Sequence, residues 1–208
     1  MVRIVDPVIS EIFAPRHYDG GLPPVPDPAT WPILDAAARV IRRYGWARTS
    51  VKDVAREAGV ERTTVYRRVG SMEDIFRLLV ALELHRLIED LPSALPDTVD
   101  GAEIVVSLLA SAIERSLAHP VVAKVLSDEP ELVGVFLVNG VPDLVTRAAT
   151  TLRPLMVAAM DAGAIARRDP LVVGEWIVRT GLSLLIAPPP GDLRAFLREV
   201  LVPVLSPR

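Results

Sequence analysis

Between Ser50 and Val69 this chain sets small, apolar and glycine residues at offsets that demand a pair of short, steeply crossing helices. Such a crossing needs a small side chain where one helix lies over the other, and Ala55 supplies it. The turn needs a residue that accepts a left-handed backbone, and Gly59 stands four residues later. Val54, Ala58, Val60 and Val65 provide the apolar faces that lock the pair together. Ser50 and Asp53 open the first helix as a capping box, and the second runs from about Arg62 to Arg68. Upstream, Ile33, Leu34, Ala37, Val40, Ile41 and Tyr44 recur at helical spacing. That helix is expected to start at Thr30 as N-cap, with Pro32 in its first turn, and to stop at Gly45. Downstream, Gly70 with Ser71 and Asp74 repeats the stop-and-cap signal before a long helix to about Glu89.

Charge follows the same boundaries. Residues 33–70 hold nine basic groups (Arg39, Arg42, Arg43, Arg48, Lys52, Arg56, Arg62, Arg67, Arg68) against four acidic ones (Asp35, Asp53, Glu57, Glu61). The remaining residues hold 14 basic and 22 acidic groups, so a basic module sits on an acidic body. This division suits a protein that meets phosphates through one face only. Arginine outnumbers lysine 21 to 2, which with abundant alanine and valine points to a GC-rich bacterial genome.

The rest of the chain reads as helix, and no segment combines strand periodicity with hairpin chemistry. The expected fold class is all-α: an N-terminal three-helix module followed by a larger helical domain. Residues 1–30 read as a Pro-rich arm, 31–75 as the helix-turn-helix domain and 76–208 as the larger domain. Three readings of the arm stay open: an unstructured tail, a strap on the body, or an arm toward DNA, which its acidic balance disfavours. Ile104, Val105, Leu108, Leu109, Ala112 and Ile113 form one amphipathic face. Short helical pieces are expected near 121–127 and 132–138, and longer helices near 142–162, 170–187 and 192–205. The longest run without charge is the 12 residues 180–191, short of the roughly 20 apolar residues of a membrane span. There is no cysteine for disulfides or thiolate metal sites, and no basic start followed by an apolar core. A cytoplasmic protein without a membrane partner is the expectation.

Residues 33–84 resemble the DNA-binding region of the TetR family of bacterial transcriptional regulators. The matching elements are Ile33-Leu-Asp-Ala-Ala37, Gly45, Thr49-Ser-Val51, Val54-Ala55, Ala58-Gly59-Val60, Thr64-Val-Tyr66 and Ser71-Met-Glu-Asp-Ile75. Trp176-Ile-Val-Arg-Thr-Gly-Leu-Ser-Leu-Leu185, with Leu201-Val-Pro203, is similar to the C-terminal ends of actinobacterial members. Two positions depart from the family's pattern. Met72 stands where a lysine usually helps hold a phosphate, and Val69 where an aromatic often ends the recognition helix. The resemblance implies a sequence-specific DNA-binding regulator that acts as a homodimer and carries a central pocket for an inducing small molecule. Repression, relieved when inducer spreads the two recognition helices, is the family's common habit.

Side chains of the second motif helix that face away from Val60 and Val65 reach base edges, which marks Arg62, Thr63 and Arg67 for base readout. Thr49, Ser50, Lys52, Thr64, Tyr66 and Arg68 are marked for phosphate contacts, which position without specifying. One recognition helix reads few base pairs, so the expected partners are a double-stranded operator and a second copy of the chain. Val173, Trp176, Ile177, Thr180 and Leu184 form one stripe, and Leu193, Phe196, Leu197, Val200, Leu201 and Val204 another. Gly174 and Gly181 would let helices approach closely. These stripes are either interior or dimer surface, and apolar residues around nearly all of 171–187 favour both roles together. For the pocket the resemblance implies, Phe76, Phe136, Met156, Met160 and Trp176 are candidate apolar lining. Arg115, His119, Asn139 and Arg179 are the candidate polar groups, and the set suits an apolar or amphipathic effector.

No cofactor or metal is expected. His17, His85 and His119 stand apart, and there is no phosphate-binding glycine loop or metal-binding helix motif to support an enzyme. The alternative to a regulator is a helical interaction protein that has lost specific DNA binding. Met72 favours that reading and the basic window opposes it.

Overall fold

The computed structural model describes residues 23–90 and 100–207, and among these there is helix and turn but no strand. A 3-10 turn, Pro28–Thr30, leads into α1 (Trp31–Tyr44), α2 (Val51–Ala58), α3 (Arg62–Val69) and α4 (Met72–Asp90). Then come α5 (Gly101–Ala118), α6 (Pro120–Asp128), α7 (Pro130–Val135) and a π-helical turn, Phe136–Gly140. The chain closes with α8 (Val141–Asp161), α9 (Pro170–Ile186) and α10 (Leu193–Leu205). The described residues form two compact units. Residues 23–86 and 119–143 make the first; 87–90, 100–118 and 144–207 make the second. The first unit therefore runs past residue 75: most of α4, with α6 and α7, belongs to the same compact unit as the three N-terminal helices.

The first unit is built around Ile33, Leu34, Ala37 and Ile41 of α1, Val51, Val54 and Ala55 of α2, and Val65 and Val69 of α3. Ile75, Leu79 and Leu82 of α4 complete this core, and Val121 of α6 packs against it. Each aliphatic side chain withdrawn from water here contributes about 1.5–3 kcal/mol, so the core fixes the mutual tilt of α2 and α3. Thr30 does not cap α1. Its hydroxyl donates to the Asp27 carbonyl at 2.6 Å, while the Asp27 carboxylate accepts the Ala29 N–H at 2.8 Å. Pro28, with its fixed φ, starts a helical turn earlier and moves the cap upstream.

Of the expected arm, residues 1–22 lie outside the described residues. The part that follows is strapped down. Pro26 is buried and its carbonyl accepts the Trp31 indole N–H at 2.9 Å, while the His85 ring lies 2.7 Å from the Pro23 carbonyl.

A polar cluster ties α1, α4 and α6 together within this unit. Arg86 donates to Asp35 at 3.0 Å and to Glu83 at 2.8 Å, and His119 Nε2 lies 3.3 Å from Glu83. Burial by itself would raise the Glu83 pKa, but the hydrogen bond and charge of His119, then those of Arg86, outweigh it. The carboxyl is held below its ordinary 4.5. A depressed carboxylate stabilises the fold above its unfolded pKa, and that stability is lost as pH falls through the folded value. Glu83→Gln is therefore expected to flatten the acid limb of the stability curve below about pH 4.5. Thermal melts of both proteins across that range check it, and superimposable acid limbs would contradict it.

In the second unit, Asp100 caps α5 by accepting the Ala102 N–H at 2.9 Å. The inward face of α5 is Ala102, Val106, Ala110 and Ile113. Of the face expected from sequence, Ile113 alone is fully inside; Ile104, Val105, Leu108, Leu109 and Ala112 are half-buried. Nearly every position from 102 to 113 is apolar or small, so periodicity could not choose among faces, and the alanines permit the closest helix approach. Met156 and Met160 of α8, Val173, Ile177 and Leu184 of α9, and Leu197, Leu201 and Leu205 of α10 fill the rest of this core. Arg194 pairs with Glu114 and Arg198 with Glu103, linking α10 to α5 on the exposed side; exposed pairs of this kind contribute little individually.

Helical length also bears on the membrane question. Pro130–Asp161 reaches a mean hydropathy of 1.3 over its most apolar window, enough by length and composition for a span. Every 18-residue window there with at most two charged groups contains both Asp143 and Arg147. Either costs about 2.5–3.5 kcal/mol at a bilayer centre, so composition alone does not make this segment a span.

Candidate nucleic-acid interface

The interface is organised by two turns. Ser50, in extended conformation, accepts the Asp53 N–H on its hydroxyl while the Asp53 carboxylate accepts the Ser50 N–H. The Ser50 hydrogen bond, helped by Arg56, holds the Asp53 carboxyl below the usual carboxylate range. At the other end of α2, Gly59 is left-handed with φ +68°. The Val60 N–H turns back to the Ala55 carbonyl at 3.0 Å, and Val60 packs against the core. Glycine meets this backbone at no steric cost, and the returning N–H with its apolar neighbour fixes the direction of the next helix.

That next helix, α3, turns Val65 and Val69 inward and leaves Arg62, Thr63, Tyr66, Arg67 and Arg68 exposed. Val54 and Val65, both fully buried, hold α2 and α3 against each other, and Ala55, Ala58 and Val60 pack alongside. Five of the six residues expected to lock the motif are in its packing; the sixth, Gly59, is exposed and supplies the turn. Glu61 precedes α3 without capping it; its carboxylate accepts the Thr63 hydroxyl at 3.3 Å. The Arg62 guanidinium lies over the Tyr66 ring, 5.2 Å from its centroid, and donates to the phenol oxygen at 2.9 Å.

The expected phosphate contacts separate into two groups. Lys52 and Arg68 are exposed and, among the described residues, make no ion pair; Tyr66 is exposed and Thr64 half-buried. Thr49 and Ser50 are committed elsewhere. The Thr49 hydroxyl donates to the Gly45 carbonyl at 2.7 Å, and both the N–H and the hydroxyl of Ser50 go to Asp53. Two of the nine basic groups in the window are in ion pairs, Arg39 with Glu57 at 2.7 Å and Arg56 with Asp53 at 2.8 Å, and Arg48 donates to the Tyr44 carbonyl at 2.9 Å. The Arg39 hydrogen bond holds the Glu57 carboxyl low. Arg42, Arg67 and Arg68, like Lys52, are exposed and make no ion pair among the described residues. Met72 and Val69, the departures from the family's pattern, both pack on the first-unit core.

Sequence reasoning missed Glu129. From the start of α7 its Oε1 accepts the Ala47 N–H at 3.2 Å, pinning the turn between α1 and α2. No local signal joins residues 82 positions apart.

The pocket candidates divide between the units. In the first, Phe76 meets Trp46 edge-on at 4.9 Å, Phe136 and Asn139 are half-buried in the π-helical turn, and His119 contacts Glu83. In the second, Met156 and Met160 are in the core with Trp176 packed against it. Arg115 and Arg179 are surface groups, paired with Asp90 and Glu175 respectively.

The dimer stripes need correction. Val173, Ile177, Leu184, Leu197 and Leu201 are buried in the chain's own core, where they pack against α5 and α8. Gly174 and Gly181 serve internal approach as well. A Cβ on Gly174 would lie 3.3 Å from the Ala149 Cα, and one on Gly181 2.9 Å from Leu109 Cδ1. Phe196 and Val200 are exposed, flanked by half-buried Leu193 and Val204, and they remain outward-facing.

A rigid helix-turn-helix with an exposed basic second helix, on an all-helical chain, defines a DNA-binding protein of the regulatory class. Residues 33–79 match the profile described as "Bacterial regulatory proteins, tetR family". The chain is 28% identical over 163 residues to the HTH-type transcriptional regulator AlkX of Mycobacterium tuberculosis, covering 77% of this chain and 76% of that one. It shares its fold with the TetR family repressor AlkX of Dietzia sp., at a TM-score of 0.62 and 20% identity over 87% of this chain and 96% of the other. A TetR-family regulator from Pectobacterium atrosepticum superposes at 0.67 with 20% identity over 86% and 96%. The chain is a DNA-binding transcriptional regulator whose residues 33–79 match the tetR family.

Proposed function

We propose that this regulator binds its operator as a homodimer and represses transcription until an apolar or amphipathic small molecule releases it, acting in the cytoplasm. The observation that carries the DNA-binding part is the exposed α3, held from behind by Val65 and Val69 and flanked by exposed arginines. Arg62, Thr63 and Arg67 read bases, arginine offering paired donors to guanine and threonine its methyl to thymine. Lys52, Thr64 and Arg68 meet phosphates, while Thr49 and Ser50 shape the turn that presents them.

The effector reading is supported by chemistry and by relatives. Met156, Met160 and Trp176 give the second unit a soft apolar interior, and thioether side chains re-pack readily around a guest. The Dietzia repressor is implicated in biodegradation of n-alkanes, and a similar Bacillus halodurans protein, at TM-score 0.57 and 20% identity, is a fatty acid degradation regulator. An aliphatic chain is the common chemistry, and it is the effector class we assign.

The test is a comparison of two single variants on an operator-bearing duplex and a scrambled one. Arg62→Ala is expected to lower specific affinity by about 1–3 kcal/mol and non-specific affinity by less. Arg68→Ala should weaken both and reduce the slope of log K against log salt by about one. Equal losses on both duplexes for Arg62→Ala would contradict the assignment.

A further inference from the structure

We propose that Tyr66 is a positioning residue for base readout: it holds the Arg62 guanidinium so that one two-pronged donor edge faces a guanine. This rests on the reading of Arg62 as a base contact and gives Tyr66 a role distinct from phosphate binding. The two side chains stand one turn apart on the exposed face of α3. The phenol oxygen accepts from Arg62 Nη2 at 2.9 Å, and the ring lies 5.2 Å below the guanidinium carbon.

The atom used matters. A guanidinium has two two-pronged edges, one formed by Nε and Nη2 and the other by Nη2 and Nη1. Nη2 carries one hydrogen for each edge. Giving one hydrogen to Tyr66 therefore leaves the other edge whole, and guanine O6 and N7 need one such edge. Among the described residues no carboxylate competes for Arg62 as Glu57 and Asp53 do for Arg39 and Arg56. The nearest acid in sequence, Glu61, already accepts from Thr63. A free arginine must be ordered on every binding event, whereas one held between a ring face and a phenol oxygen is ordered beforehand.

The experiment uses the full chain, a duplex recovered by selection from a randomised pool, and its scrambled counterpart. Tyr66→Leu is expected to lower the ratio of specific to non-specific affinity about tenfold, with the salt slope nearly unchanged. Tyr66→Phe, which keeps the ring and removes the acceptor, should fall between. In an Arg62→Ala background, Tyr66→Leu should change the ratio no further. Tyr66→Leu weakening both duplexes equally, with their ratio unchanged, would make Tyr66 a phosphate contact and overturn the proposal. Additive losses in the double variant would also overturn it. If Arg62→Ala itself left the ratio unchanged, the base-readout assignment would have failed first. The free protein gives an independent check. The Arg62 Nε–H resonance should carry a ring-current shift that disappears in Tyr66→Leu, and a freely averaging resonance in the parent chain would show that the pair does not form.

Discussion

Replacing Phe196 and Val200 together by aspartate is expected to leave each chain folded and to abolish high-affinity operator binding. Both side chains project from α10 one turn apart, 41% and 39% exposed, while Leu197 and Leu201 on the adjoining face are buried in the second-unit core. An aspartate on an exposed helix face costs an isolated chain a few tenths of a kcal/mol. The same group forced into an apolar contact between two copies is a buried, unpaired charge costing about 3–5 kcal/mol. Two such charges per protomer suffice to separate a dimer at micromolar concentration. A lone recognition helix reads only one half-site, so affinity for the operator should fall by at least about a hundredfold. Sedimentation of the variant should give a monomer with an unchanged helical spectrum. A dimer with unaltered operator affinity would move the interface elsewhere. Leu201→Ala is the contrast: it should lower thermal stability by about 2–5 kcal/mol through the core itself.

The second large effect is internal. Gly101 opens α5, and a Cβ there would sit 2.8 Å from the Ala164 carbonyl carbon and 2.9 Å from the Ala164 Cβ, closer than real Cβ atoms come. The obstacle is backbone, and that backbone is fixed. The Ala164 N–H turns back to the Ala159 carbonyl at 2.9 Å through left-handed Gly163, and neighbouring Ile165 is buried. Gly101→Ala should therefore force α5 away from the end of α8, at about 1–3 kcal/mol or more, which lowers the apparent melting temperature by several degrees. A melting temperature within a degree of the parent would show that the segment yields. Gly59→Ala is the opposite case. Its Cβ would enter open space, so only the left-handed φ resists, at about 1–2 kcal/mol.

These contrasts show what the amino-acid sequence makes legible. Capping at Ser50 and Asp53, the stop at Gly45 and the left-handed turn at Gly59 are local events, settled by residues within four positions of one another. They were readable because short-range geometry admits few alternatives. Thr30 failed because Asp27 and Pro28 offered a competing local solution one turn upstream. The faces of α5, α9 and α10 failed for a different reason. Where apolar side chains surround a helix, periodicity no longer distinguishes inward from outward, and only the packed partners decide. Hence Val173, Ile177 and Leu197 read as a possible joining surface and belong to the core, while Phe196 and Val200 keep their exposure. Long-range polar ties such as Arg86 to Asp35 and Glu129 to Ala47 have no signature at all in a single sequence.

The exposed α3 makes its most direct prediction in a hydroxyl-radical footprint of the parent chain on its selected duplex. Two protected segments related by a dyad and centred about one helical turn apart, or a whole multiple of it, are expected. Both should vanish together in the Phe196→Asp, Val200→Asp double variant. A single protected segment, or protection that follows neither sequence nor symmetry, would contradict the account.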